Sequence, residues 1–452
     1  MIRLFRILIC VLLLVLPVFG TAAPLARPAV WDWGEFQAQL QQAKGIGVTA
    51  VSTDVWWGKV EAAGDQQFDW SYYDRVSDAI IQAGLKWVPI FSFHQCGGNV
   101  GDSCDIPLPN WVWGEVGGGF PEELKYQSEQ GNLSSEVIAL WADDRAARQY
   151  REFVRSFAEH FGPKAGQIEE INISAGPSGE LRYPSYNQHD GFNYPARGFL
   201  QAYSNPALAD FIAFAESKYG TLENLNAAWN TQLAGWGQVR PPSDANGFFG
   251  RKDYLNIPYG RDFTEWYNGA LVEHGRFMIE LVTAALHNNF PGIPLGIKIP
   301  GVHWQMVSPD IPRSAEVSAG LIPTHIDLFS DATGHGYAPI IDMVQACASE
   351  ERPVVLHFTC LEMDNNPDYP QYSQAKDLVF WVARGAADRG VAIMGENALS
   401  GGLTNDHGWD NIDNALRWSS YVGLTTLRIG DLSLANGLGY GRYQKLINDF
   451  QP

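Results

Sequence analysis

Two glutamates have the settings that acid–base chemistry at a glycosidic oxygen would need. Glu180 follows the turn Ser174-Ala-Gly-Pro-Ser-Gly and precedes Leu181, Arg182 and Tyr183. Glu396 ends the apolar run Val391-Ala-Ile-Met-Gly and precedes Asn397, Ala398 and a pair of glycines. A carboxylic acid can protonate a leaving oxygen, and a carboxylate can deprotonate a water. Glycoside hydrolysis requires that pair on opposite sides of the scissile bond. Each residue also has a plainer reading. Glu180 could be the ion-pair partner of Arg182, and Glu396 could complement a helix N-terminus.

Other polar residues cluster in short motifs. The stretch Phe93-His94-Gln-Cys96-Gly-Gly-Asn-Val-Gly-Asp102-Ser-Cys104 has the glycines of a mobile loop and carries one carboxylate. Cys96 and Cys104 are close enough in sequence to close a small disulfide ring in an oxidising compartment. A zinc site on His94 and these cysteines is the alternative, but it lacks a fourth ligand and the usual spacing. Asp54 could bind sugar hydroxyls, with Trp56 and Trp57 after it as stacking platforms or as core. Lys298 and His303 could hydrogen-bond a sugar, or be a buried ion-pair partner and a core histidine. Thr359 could orient a water or simply end a strand. No phosphate loop, dinucleotide fingerprint or nucleophile elbow stands out.

These residues need elements to bring them together. Short β-rich runs predict strands at Val48–Asp54, Trp87–Phe93, Ile168–Ser174, Leu295–Ile299, Val354–Thr359, Val391–Gly395 and Leu424–Arg428. Helical periodicity predicts Tyr72–Ala83, Asp143–Phe161, Phe263–Asn288, Gln374–Asp388 and Asn411–Ser420 between them. Such alternation implies a parallel sheet, and seven strands plus one more would close a (β/α)8 TIM barrel. The eighth strand is placed either at Thr324–Phe329 or near Leu16–Leu25. Asp54, His94, Glu180, Lys298, Thr359, Glu396 and Arg428 all fall at or just after strand C-termini. A barrel gathers those ends on one rim, with long active-site loops.

The 452 residues carry 31 Lys and Arg against 50 Asp and Glu, a net charge of −19. That charge repels phosphate backbones and anionic lipid, which argues against nucleic acid as a partner. Arg3 and Arg6, an apolar run from Ile7 to Phe19, and small residues to Ala22 read as an export signal over 1–22. Cys10 would leave with it. Cys347 and Cys360 read as separate buried thiols. Even composition over 23–452 predicts a single catalytic domain.

The motifs resemble those of the β-amylases, glycoside hydrolase family fourteen. The similarity lies in His94 to Asp102, Gly179-Glu-Leu-Arg-Tyr-Pro-Ser-Tyr186, Thr53-Asp-Val-Trp-Trp-Gly58, Phe358-Thr-Cys-Leu-Glu-Met363 and Gly395-Glu-Asn-Ala-Leu399. It spans Trp31 to Arg428. The resemblance implies an exo-acting, inverting enzyme that releases β-maltose from the non-reducing ends of starch and maltodextrin. It implies Glu180 as acid, Glu396 as base and Asp102 as the lid carboxylate. Thr359 would lie on an inner loop, and Asp54, His94, Lys298, His303, Asn397, Ala398 and Arg428 would contact sugar. An inverting mechanism needs about 6.5–9.5 Å between its carboxyl groups.

Cys104 after Asp102 and the stretch Gly64 to Trp70 are similar to the bacterial branch, whose members can hold a structural calcium. The matching positions are Glu61, Asp65, Gln66, Gln149 and Glu152, with Gln149 where a carboxylate is expected. The chemistry itself requires no cofactor. A secreted or periplasmic monomer without a separate starch-binding module, and free of the membrane after export, is the expectation. In that resemblance Ala23-Pro-Leu25 ends the first barrel strand, so cleavage at Ala22 would remove most of it. The rivals are a retaining barrel glycosidase acting on another glycan and a non-catalytic glucan-binding barrel.

Overall fold

The computed structural model describes residues 6–11, 32–98, 104–193, 196–304, 313–323 and 335–450. Eight parallel strands close into a barrel. In chain order they are β1 (Arg6–Val11), β2 (Ala50–Trp56), β3 (Lys86–Ser92), β4 (Ile171–Ile173), β5 (Leu295–Ile299), β6 (Val354–Phe358), β7 (Ala392–Glu396) and β8 (Tyr421–Leu427). Neighbours in the ring are neighbours in sequence, and β1 closes it by pairing with both β2 and β8. The seven strands read from the sequence are all present, within three residues at each end.

The eighth strand differs from both candidates. Thr324–Phe329 and the stretch near Leu16–Leu25 lie outside the described residues. The closing strand is Arg6–Val11, within the 1–22 stretch read as an export signal. A short apolar run of β-branched and leucine residues is compatible with either role, because a strand buried on both faces has no alternation to betray it. Cys10 pairs with Leu427 and Ser52 in that strand, so in this chain it belongs to the barrel.

Helices cover the outside. They include α1 (Trp33–Gly45), α2 (Ser71–Gln82), α3 (Asp143–Phe161), α4 (Pro258–Leu286), α5 (Ala338–Cys347), α6 (Ala375–Asp388), α7 (Asp406–Trp418) and α8 (Leu434–Phe450). Two of them, α4 and α7, begin more than a turn earlier than the periodicity predicted, and their first residues explain both. Pro258 occupies the first turn of α4, where its missing N–H costs nothing. The Asn405 side chain accepts from the Gly408 amide and starts α7. On α3, Ala146, Tyr150, Phe153, Val154, Phe157 and Phe161 form one buried stripe. Phe157 meets Phe91 of β3 edge to face, with ring centroids 4.8 Å apart. Trp56 and Trp57 are buried core residues rather than open stacking platforms.

The barrel interior is built on a small apolar plug. Ala50, Val88, Val355 and Met394 form a cluster separate from the large outer core. They come from β2, β3, β6 and β7. Side chains two residues apart on a strand share a face. Two steps above the plug therefore stand Ser52, Ile90, His357 and Glu396, all of which line a cleft in the barrel mouth. Gly296 on β5 leaves room for Asn172, since a Cβ there would lie 1.8 Å from Asn172 Oδ1. Lys298, two steps further, reaches the same cleft.

The loop after β2 is held against the disulfide loop by Gly58, whose Cβ would fall 1.8 Å from the Pro107 carbonyl oxygen. Gly58→Ala is expected to destabilise the fold by roughly 1–3 kcal/mol through that backbone clash. Thermal or urea unfolding checks it, and an unchanged midpoint would refute the packing described.

Candidate active site

The cleft is lined by Asp54, Ser178, Gly179, Lys298 and Glu396 together with the inward residues below them. Glu180 follows the turn after β4, whose Ser178 and Gly179 line the cleft. Ser178 and Gly179 both take left-handed backbone angles there, with φ of 58° and 77°. Gly176 allows the turn to fold back, because a Cβ would sit 2.3 Å from the Glu180 carbonyl. The Leu181 amide donates to the Lys298 carbonyl at 2.8 Å, so the Glu180 segment extends the sheet beside β5.

The plainer reading of Glu180 is also realised. The Arg182 Nε donates to its carboxylate at 2.9 Å. Arg182 is fully buried, stacks 4.3 Å over the Tyr186 ring and donates to Asn187 Oδ1 at 2.8 Å. An arginine held so firmly fixes the carboxylate it touches. About an eighth of the Glu180 side chain remains open, at 12 %, so the ion pair does not seal it from solvent.

Glu396 ends β7 and is only 3 % exposed. The Lys298 ammonium donates to its Oε1 at 2.7 Å. One residue of β5 therefore touches both segments: its backbone holds the strand that carries Glu180, and its side chain holds Glu396. Asp54 accepts from the Ser92 hydroxyl at 2.7 Å. His94 Nδ1 lies 2.7 Å from the Ser174 hydroxyl, with its ring edge on to Trp56. Burial first, then the Lys298 and Arg182 cations, push the His94 value down to about 3. It is therefore a neutral hydrogen-bonding group at any working pH.

The other expected residues turn toward the frame. The Asn397 side chain is fully buried and accepts from the Leu427 amide at 2.7 Å, which ties the loop after β7 to β8. The Thr359 hydroxyl accepts from the Gly301 amide at 2.7 Å. His303 Nδ1 lies 2.5 Å from the Ser373 hydroxyl, and burial followed by the Arg197 charge lowers its value to about 4. Arg428 donates to the Ser400 hydroxyl at 3.2 Å. Asp102 lies outside the described residues. Cys96 and Cys104 form the disulfide, with Cα atoms 5.5 Å apart, which rules out a zinc site on those two sulfurs. Cys360 is a buried free thiol, whereas Cys347 is only half-buried.

The five calcium positions draw together around Glu61, but as an ion-pair cluster. Glu61 accepts from the Trp57 indole and the Gln66 amide, each at 2.6 Å. Burial raises it to about 7, with Asp65 and Glu152 adding to the rise. The Arg148 guanidinium donates to Asp65 at 2.9 Å and lies 3.9 Å from Glu152. With Gln149 turned to face it, that guanidinium also meets the Gln149 amide oxygen at 3.0 Å. Among the described residues no group of three or more His, Cys, Asp or Glu is arranged to hold a metal ion. Arg148 offsets one of these three negative charges, and Asp65 Oδ1 and Glu152 Oε2 are buried without a hydrogen-bond partner.

Sequence reasoning left out Glu362. Its carboxylate accepts from the amides of Ala398, at 2.9 and 3.0 Å, and of Leu399, at 2.7 Å. It thus fixes the two residues that follow Glu396 and Asn397. Gly402 is required beside it, because a Cβ there would lie 2.1 Å from Glu362 Cγ. The motif Phe358 to Met363 marked the stretch as notable, but no spacing shows that its glutamate reaches across to the next strand's loop.

A closed barrel with two carboxylates and a lysine in its mouth defines the frame of a glycoside hydrolase, and the comparisons agree. The model of glycosyl hydrolase family 14 matches residues 22–450. A beta-amylase of Niallia circulans is 41 % identical over 418 residues, covering 92 % of this chain and 67 % of that one. A beta-amylase of Cytobacillus firmus is 42 % identical over 415 residues, covering 90 % and 81 %. The solved catalytic domain of beta-amylase from Paenibacillus polymyxa superposes with a TM-score of 0.84 at 38 % identity, over 100 % of this chain and 99 % of that one. The chain belongs to glycosyl hydrolase family 14. A beta-galactosidase of Marinomonas, at 13 % identity and a TM-score of 0.57, shares the fold alone.

Burial raises the Glu362 carboxyl to about 7, with Glu396 adding to the rise. An acid raised on folding contributes stability that is full below the unfolded value and is lost as pH climbs through the folded one. Glu362→Gln should therefore flatten the fall in melting temperature between about pH 5 and about pH 8. It should also slow turnover, by loosening Ala398 and Leu399. Calorimetry across that range checks the first expectation, and a wild-type slope would contradict it.

Proposed function

We propose that this glycoside hydrolase cleaves α-1,4-glucosidic bonds of starch and related glucans from their non-reducing ends, inverting the anomeric carbon and releasing β-maltose. Glu180 is the general acid that protonates the departing oxygen, and Glu396 is the general base that takes a proton from the attacking water. The observation that carries this reading is the double role of Lys298. Its backbone holds the Glu180 segment and its ammonium holds Glu396, so the two carboxyl groups are set around one mouth.

Family membership and the names of the curated relatives support the substrate and product. The Lys298 ammonium pairs with the Glu396 carboxylate at 2.7 Å, which supports reading Glu396 as the base. Asp54, held by Ser92, and neutral His94 offer a fixed acceptor and a hydrogen-bonding ring to sugar hydroxyls. Asp102 is proposed as the carboxylate of the loop that closes over the glucan, and Arg428, His303, Ala398 and Thr359 as its further surroundings. Two carboxyl groups and a water balance the reaction, so the proposal assigns no cofactor a step. One chain carries both carboxyl groups, which fits a monomer.

Export through the N-terminal segment belongs to the same proposal. Among the described residues no helix is long and apolar enough to cross a membrane. Sequencing the N-terminus of protein recovered outside the cytoplasm would decide how the barrel is closed after export. A start at Ala23 would mean that Arg6–Val11 is lost and another segment closes the ring. An intact start keeps the strand seen here.

Glu180→Gln and Glu396→Gln are each expected to cut turnover of soluble starch by roughly 10²–10⁴-fold with the fold retained. Proton NMR of fresh product should show β-maltose first. An initial α-anomer would indicate retention and would exclude Glu396 as a simple base.

A further inference from the structure

Behind the Glu180 turn lies a buried ionisable pair that the reaction as described does not use. His274, midway along α4, places Nδ1 2.7 Å from the Asp143 carboxylate and Nε2 3.0 Å from the Ala175 carbonyl. Both groups are acceptors while the aspartate is ionised, so the ring then carries a proton on each nitrogen. His274 is 7 % exposed. Asp143 is the first residue of α3, where the helix dipole favours a negative charge. Ala175 is the second residue of the turn that leads to Glu180. Its neighbour Ser174 holds His94.

We propose that His274 is a positioning residue for the general acid: bridging Asp143 and the Ala175 carbonyl, it clamps the start of the Glu180 turn to two outer helices. The inference rests on the reading of Glu180 as acid. Three further observations support it. Gly275, the next residue, brings the α4 backbone so close that a Cβ would lie 3.0 Å from Leu181 Cδ2. The helix therefore grips the segment on both sides of Glu180, at Ala175 and at Leu181. The turn between them has two consecutive left-handed residues and would relax if either end were released. Burial alone would lower the His274 value, but the Asp143 carboxylate and the Ala175 carbonyl outweigh it and hold the ring above its usual value. Burial in turn raises the Asp143 carboxyl, against the pull of the His274 ring.

The test separates loss of acid assistance from general damage. Maltopentaose needs its leaving oxygen protonated, whereas α-maltosyl fluoride departs as fluoride with far less help. His274→Phe fills the space and removes both hydrogen bonds. It is expected to lower kcat on maltopentaose by about 10–100-fold, leave KM within about twofold and largely spare the fluoride. His274→Gln, which keeps one donor for Ala175, should recover part of the loss. Asp143→Asn should fall between them. If the Phe variant loses its cooperative melt, the Gln and Asn variants are read by the same ratio of the two substrates.

Equal losses on both substrates, or wild-type kcat in all folded variants, would overturn the inference. Glu180→Gln run in parallel keeps the two claims apart. If it spares the fluoride while the His274 variants do not, the acid stands and the clamp falls. If it spares neither substrate, the acid assignment itself fails.

Discussion

A ring of eight parallel strands allows its inward side chains only one arrangement. Residues two apart share a face, and all the strands point the same way. Once Ala50, Val88, Val355 and Met394 fill the bottom of the barrel, the next inward residues must rise toward one mouth. Ser52, Ile90, His357 and Glu396 stand there, with Asp54 above Ser52. A one-residue slip in β2, β6 or β7 would turn its polar residue out into the helical layer. The register over that plug is the constraint on which the site depends.

The mouth is held rigid by groups that need not touch substrate. Lys298 joins the two glutamates through backbone and side chain. Arg182 locks Glu180 from one side, and Glu362 locks the residues after Glu396 from the other. Arg182 and Glu362 are buried and Lys298 is partly so, and each meets a partner of the opposite sign or a set of amide donors. Buried charge is tolerable only under that condition. Charge-assisted hydrogen bonds are directional as well as strong, so they fix reacting groups more tightly than apolar packing would.

Much of this was legible in advance. The strands showed themselves as short apolar runs ending in a polar residue, and α3 showed its stripe over its full length. Glu180 and Glu396 stood out because each follows such a run or turn. The calcium positions also gather as the resemblance implied, and no local pattern shows that Arg148 on α3 pairs with Asp65 among them. The first strand was the hardest to place, because an apolar export signal and a strand buried on both faces share one composition.

The sequence by itself determined the alternation of strand and helix, the polar residues at the strand ends and the family whose motifs they form. Those properties are local, written in runs of a few residues. Only the tertiary structure decided that Lys298 serves two glutamates, that Glu362 anchors the loop after β7 and that His274 reaches Ala175. Those contacts join residues at least 36 positions apart, and the Leu181 amide and Lys298 carbonyl are farther apart still. Side chains that far apart meet only through the closure of the barrel, and no periodicity along the chain records which of them will face one another.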